Sequence, residues 1–264
     1  MDLNLDEKTA LVTGSTAGIG FAIAAGLAEQ GATVIVNGRT HARVEDAVRR
    51  IKVLHPQGKV LALAADLGSV TGVEHTLERH PRVDILVNNV GIFEPKPFEA
   101  IPDQDWHHFL EVNLMSGVRL SRAYLAGMRI TNWGRIVFIS SESGVQIPPE
   151  MVHYGVTKAA QIALARGLAE SVAGTGITVN SVLPGPTRSE GVGTFVAQMA
   201  EQQGLSEEEM ERQFFATARP SSLIKRFATP EEVANMVVYV CSPAASATNG
   251  AALRVDGGVV RAIL

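Results

Sequence analysis

Two residues set the question. In HYGVTKAA, Tyr154 and Lys158 lie four apart, and Ser140, Ser141 and Ser143 precede the tyrosine in SSES. A free phenol ionises near pH 10 and is a poor base at neutral pH. A lysine at i+4 shares its helix face, and the ammonium favours the phenolate. A tyrosine tuned in this way gives a proton to a carbonyl or takes one from an alcohol. A serine hydroxyl from the end of a neighbouring strand would hydrogen-bond the same substrate oxygen. Taken alone, Tyr-x-x-x-Lys is common on helix surfaces and favours the plainer reading, a part-exposed aromatic beside a solvated lysine. A second motif, TGSTAGIG at 13–20, places Gly14, Gly18 and Gly20 between a strand and a helix. Glycines there allow a tight turn and let backbone N–H groups approach a pyrophosphate at a helix N-terminus.

These groups need elements to hold them. Apolar, β-branched runs at 9–13, 33–37, 59–66, 83–89, 134–141, 176–185 and 252–258 read as strands. Helical spacing covers 18–30, with Gly31 as its stop, then 41–54, 103–130, 153–173 and 230–241. Alternation of this kind predicts right-handed βαβ crossovers. The expected fold is α/β: one doubly wound, Rossmann-type domain over 1–264, a seven-stranded parallel sheet with helices on both faces. Segment 188–228 breaks the alternation and is expected to be a substrate lid of two short amphipathic helices parted at Gly204.

Composition removes other classes. A net charge of −4 with 19% charged residues leaves no basic stripe for nucleic acid. The single cysteine, Cys241, excludes an internal disulfide and fits a reducing compartment. The acidic start MDLNLDEK is unlike a secretory signal, and no apolar run reaches membrane-spanning length. The expectation is a cytoplasmic protein with neither nucleic acid nor membrane as partner. The seven histidines show no metal-ligand spacing, so no metal is expected. His107 and His108 read as exposed, His153 as packing or pocket lining, SEEEMER (206–212) as a solvated helix face, and Asp84 as a turn residue.

Together the motifs resemble the short-chain dehydrogenase/reductase family over nearly the whole chain, in particular its 3-oxoacyl-ACP reductase-like members. The residues carrying the resemblance are TGSTAGIG, Asp66, NNVG (88–91), Asn113, Ser141, Tyr154, Lys158, LPGPT (183–187) and VDGG (255–258), in family order. It implies an oxidoreductase moving hydride between a nicotinamide cofactor and a ketone or secondary alcohol. Tyr154 would be the general acid/base, and Lys158 would lower its pKa and bond the nicotinamide ribose. Ser141, 13 residues before Tyr154, would orient the carbonyl. Asn113 would hold a water linking Lys158 to solvent. Gly14, Ser15, Thr16, Gly18 and Gly20 would cradle the pyrophosphate, and Ile19 would lie under the pyrophosphate and nicotinamide. Asp66 and Leu67 would contact the adenine, Asn88 and Gly91 would border the ribose, and Pro184, Gly185 and Thr187 would meet the carboxamide. The resemblance also implies a homotetramer joined through 103–130, 153–173, 230–241 and the closing strand, with the apolar tail VVRAIL buried against another subunit.

The chain departs from the family pattern at Ala17, Val90, Thr187 and Ser189. At the end of the second strand, VIVNGRT has no acid to bond a ribose 2′-hydroxyl, whereas Arg39 could pair with a 2′-phosphate. NADP(H) is therefore expected ahead of NAD(H), which stays possible. Phe195, Val196, Met199, Phe214 and Phe215 in the lid, with Ile147, Pro148, Met151 and Val152 before Tyr154, form two apolar walls. They point to a mainly hydrophobic ketone; Arg188 and Arg219 keep an anionic acyl carrier open. The competing reading is a non-catalytic dinucleotide-binding sensor or scaffold on the same fold.

Overall fold

The computed structural model describes residues 3–263, except for the side chains of Thr194, Phe195 and Gln198. The first strand and helix are β1 (Thr9–Val12) and α1 (Gly18–Glu29). They are followed by β2 (Thr33–Gly38), α2 (His41–Leu54), β3 (Val60–Ala64), α3 (Val70–Arg79) and β4 (Ile85–Asn88). Next come α4 (Asp103–Leu110), α5 (Ser116–Thr131), β5 (Gly134–Ile139), α6 (Val152–Ser171) and β6 (Ile177–Pro184). The chain closes with α7 (Glu190–Gln203), α8 (Glu207–Thr217), α9 (Pro230–Val240) and β7 (Ala252–Val255).

All strand pairs are parallel, in the order β3-β2-β1-β4-β5-β6-β7. Strand alternation explains why both faces are covered. Ala10 and Val12, Val34 and Val36, and Ile85 and Val87 face one core, with α1, α2 and α9. Leu11, Ile35 and Leu86 face the other, with Leu120 and Tyr124 of α5 and Ala165 of α6. Successive residues of a strand point to opposite faces, so an uninterrupted apolar run feeds both layers. The seven-stranded, doubly covered parallel sheet is as the sequence predicts.

Three local features differ from the expectation. Helix α3 was not foreseen: VTGVEHTLER is short and broken by Gly72, but Ser69 caps it by accepting from the Gly72 N–H. The helix expected over 103–130 is continuous through α4 and α5 but widens into a π-turn at Glu111–Met115. The strands expected at 59–66, 134–141 and 252–258 stop at Ala64, Ile139 and Val255, so Asp66, Ser141 and Asp256 lie in turns beyond the ladder.

Helices α7 and α8 form the expected pair, with Gly204 ending α7 in the left-handed region. They carry a third small core in which Val196, Ala200, Met210 and Phe215 pack on Phe227; Phe195, expected among them, lies outside the described side chains. The acidic run starts α8, where Ser206 and Glu209 form a capping box. Glu207–Glu209 are exposed while Met210 is buried. In the tail, Val259 and Val260 are buried within the chain and residues 261–263 are exposed. Intersubunit burial can therefore apply only beyond Val260; Leu264 lies outside the described residues. Among the described residues no helix is long and apolar enough to cross a membrane.

Candidate active site

Strand order reverses between β1 and β4, and a crevice opens beyond the carboxyl ends of the strands at such a point. There a cleft of about 490 Å³ is bounded by the glycine turn (Ile19), the loop after β4 (Ile92, Phe93) and the inner face of α7–α8 (Val192, Met199, Phe214). Ser141, Tyr154 and Lys158 all line it.

Tyr154 sits in the first turn of α6 and Lys158 one turn later. As a residue Tyr154 is part-buried and lines the cleft. Burial pushes its pKa up, and the Glu142 carboxylate adds to this; the Ser141 hydrogen bond and Arg219 pull it down. The lysine Nζ donates to the Ile139 carbonyl at 2.9 Å and to Gln161 Oε1 at 3.3 Å, 5.5 Å from the Tyr154 ring centre. Desolvation draws Lys158 itself down to about 8.

Among the three serines, Ser140 Oγ is committed to the Lys158 carbonyl at 2.8 Å. Ser141 caps the short 3-10 turn Glu142–Gly144. Its Oγ accepts the Ser143 N–H at 3.1 Å and donates to Glu142 Oε2 at 2.5 Å. Ser141, the serine singled out by its spacing, lines the cleft together with Tyr154. Asn113 lies in the π-turn, fully enclosed. Its side chain clamps the backbone of Ile92 and donates to Thr157 Oγ1 at 3.0 Å. Its backbone carbonyl accepts from the Gln161 Nε2 at 2.5 Å. Lys158 and Asn113 are therefore linked through a side chain that the sequence reading missed. The available signal was that Gln161 lies three residues beyond Lys158 on one helix face.

The glycine turn offers the fit expected of a phosphate cradle. Gly14 has a φ of +61°, and a Cβ on Gly20 would lie 2.5 Å from the Gly14 carbonyl and the Asn89 amide. Ala17 gives no side-chain cap to α1, and the first turn holds no acid. The opening N–H groups of α1 are thereby left to an outside anion. Other residues expected to touch a cofactor instead brace the turn. Ser15 is fully buried, donating to the Val12 carbonyl and accepting the Asn37 N–H. Asn37 accepts from the Gly14 N–H and donates to the Leu63 and Ala65 carbonyls. The Asn88 side chain turns away to Ser121 of α5, and the missed Asn89 ties down the Thr13 and Gly14 carbonyls. Leu67 is buried in the core, which leaves only its backbone for an adenine; Asp66 is exposed. Thr187 bonds its own turn, Oγ1 to the Gly185 carbonyl at 2.9 Å. Thr16 abuts Gly38, and Arg39 is exposed with no ion pair among the described residues. Gly91, Pro184 and Gly185 line the cleft.

Of the remaining groups, His153 is buried between Trp106 and Phe109, with both ring nitrogens unpartnered, so it packs and does not face the cleft. Asp84 accepts the Thr9 N–H, pinning β1 to β4. His107 and His108 are exposed. Arg188 is paired with Glu207 and Glu211, and Arg219 with Glu142 and Glu150.

Among known proteins, the family model described as enoyl-(acyl carrier protein) reductase matches residues 14–260. The chain is 48% identical over 263 residues, all of both chains, to an uncharacterized oxidoreductase of Bacillus subtilis. It is 33% identical to D-beta-hydroxybutyrate dehydrogenase of Cupriavidus necator, covering 97% of this chain and 99% of that one. The crystal structure of L-sorbose reductase from Gluconobacter frateurii, complexed with NADPH and L-sorbose, superposes with a TM-score of 0.92 at 33% identity over all of both chains.

Proposed function

Because the chain belongs to the short-chain dehydrogenase/reductase family of oxidoreductases, we propose that it moves hydride between NADP(H) and a ketone or secondary alcohol of apolar character. The observation carrying this reading is the convergence of Ser141, Tyr154 and Lys158 on one cleft beside an uncapped glycine turn. When bound, the nicotinamide supplies or accepts the hydride. The chain's own residues handle the proton and the positioning. A carbonyl oxygen between Ser141 and Tyr154 takes its proton from the phenol. A phenol held above its usual pKa stays protonated at neutral pH, the form reduction needs. Alcohol oxidation needs the phenolate, so its rate climbs toward alkaline pH.

Arg39 and Gly38 support NADP(H). A Cβ on Gly38 would collide with the Thr16 methyl, which closes the position where an acid would bond a ribose 2′-hydroxyl. The exposed Arg39 guanidinium lies next to it as a fork for a 2′-phosphate. The substrate reading rests on the cleft walls, where Phe93, Met151, Val192, Met199 and Phe214 outnumber free charges. Arg188 and Arg219 are each held by two carboxylates, so neither supports an anionic carrier. The pair α7–α8 acts as the lid of a single-domain enzyme. A homotetramer is supported by the exposed Leu223 (81%) and Ile263 (96%) near the closing strand. The lone, buried Cys241 supports a cytoplasmic site.

The test is a panel of ketones and alcohols with NADPH and NADH, read at the nicotinamide absorbance band, on wild type and Tyr154→Phe. Turnover should fall by about 10²–10⁴-fold in the variant, with NADPH binding retained. A variant that turns over as wild type would exclude Tyr154 as the acid/base. Nicotinamide binding without turnover across the panel would favour a sensor or scaffold.

A further inference from the structure

The Ser141 hydroxyl carries one proton and stands between two groups able to take it. One is Tyr154. The other is Glu142, whose Oε2 lies 2.5 Å from Ser141 Oγ. Glu142 is a buried carboxylate, 5% exposed, in the wall of the reaction cleft. Such a group is costly unless its charge is met. It is met by Arg219, which follows α8 at the end of the lid: Nε reaches Glu142 Oε1 at 3.3 Å. Arg219 Nη1 reaches Glu150 at 3.4 Å, just before α6. The Arg219 side chain is itself only 12% exposed. One arginine from the lid thus holds the two carboxylates that flank the catalytic serine and the start of the tyrosine's helix.

We propose that Glu142 and Arg219 are positioning residues of the active site: Glu142 draws the Ser141 proton away from Tyr154, and Arg219, arriving with the lid, weakens that hold and frees Ser141 for the substrate oxygen. This rests on the hydride-transfer reading above. The chemistry fixes opposite signs for the two partners. Without Arg219, Glu142 stands as an uncompensated negative charge next to the phenol, and the phenolate is harder to form. Without the Glu142 charge, Ser141 donates to Tyr154, and the phenolate is easier to form. The other groups around the tyrosine do not duplicate this. Lys158 is held by Ile139 and Gln161, and Glu150 is held by Arg219. Phe93 contributes only a ring edge. Glu94, Lys96 and Asp105 form a cluster that acts on His153, on the other side of the helix start.

The experiment compares Glu142→Gln, Arg219→Met and Arg219→Lys, each with and without Tyr154→Phe. The difference in tyrosinate absorbance at a fixed alkaline pH isolates Tyr154 and needs no substrate. The expected order of ionisation is Glu142→Gln above wild type, wild type above Arg219→Met, with Arg219→Lys returning toward wild type. In kcat/KM for oxidation of the best secondary alcohol of the panel, the acid limb should move down by about one pH unit in Glu142→Gln and up by a similar amount in Arg219→Met. Shifts in the same direction, or none in variants that fold, overturn the proposal. Absorbances that diverge as ordered in a protein without turnover uphold the coupling and overturn the hydride-transfer reading instead.

Discussion

Lys158→Met should make the cofactor-free protein more stable while disabling it. The lysine is 4% exposed, and desolvation takes its pKa from the ordinary 10.5 to about 8. At 1.36 kcal/mol per pH unit, that gap costs the fold about 3 kcal/mol while the ammonium is charged. The sign follows from proton counts. Below pH 8 both folded and unfolded chains hold the proton, and the full penalty is present. Between about 8 and 10.5 the unfolded chain holds a proton that the native chain has shed, so wild-type stability rises with pH through this window. Methionine removes the penalty but leaves the Ile139 carbonyl and Gln161 Oε1 without their donor, which returns about 1 kcal/mol for each. The net gain at pH 7 is about 1–2 kcal/mol, or about 2–4 °C for a chain of this length. Urea unfolding followed by circular dichroism at pH 7, 8, 9 and 10, at one protein concentration, measures it. The variant's advantage should be constant up to pH 8 and then shrink, reversing by pH 10. A variant less stable than wild type at pH 7, or a difference that ignores pH, would refute the desolvation argument. Loss of stability would mean that the two hydrogen bonds outweigh the buried charge.

Three further outcomes follow from the same structure. Arg39→Ala should erase the preference for NADPH in kcat/KM, whereas Gly38→Asp should destabilise the protein in urea unless Thr16→Ser relieves the collision; an unchanged cofactor ratio in Arg39→Ala would sink the NADP(H) assignment. Along a homologous ketone series, kcat/KM should rise by about fourfold for each added methylene that the cleft can bury, from about 0.8 kcal/mol per CH₂; a flat series would contradict the apolar pocket. Light scattering at micromolar protein should give a tetramer, and a monomer there would leave Leu223 and Ile263 without the cover proposed for them.

The sequence determined the fold class because parallel strands buried on both faces leave uninterrupted apolar runs, and the glycine turn and tyrosine–lysine pair sit at fixed offsets from those runs. Periodicity could not say where a strand stops pairing. Past Ala64, Ile139 and Val255 the chain turns polar within two residues, at Asp66, Ser140 and Asp256, but one polar residue at the end of an apolar run does not by itself say whether the ladder continues through it. Departure from the ladder there is what releases Asp66, Ser141 and Asp256 into turns. Nor could local spacing reveal partners brought in from far along the chain. Arg219 meets Glu142 across 77 residues, Gln161 meets Asn113 across 48, and Gly14 meets Asn37 across 23. Sequence spacing placed Lys158 on the same helix face as Tyr154, but only the tertiary structure decided where its charge goes. Inside a desolvated wall an ammonium needs the nearest strong acceptors, and those are the Ile139 carbonyl at the end of β5 and the Gln161 amide oxygen, not the phenol.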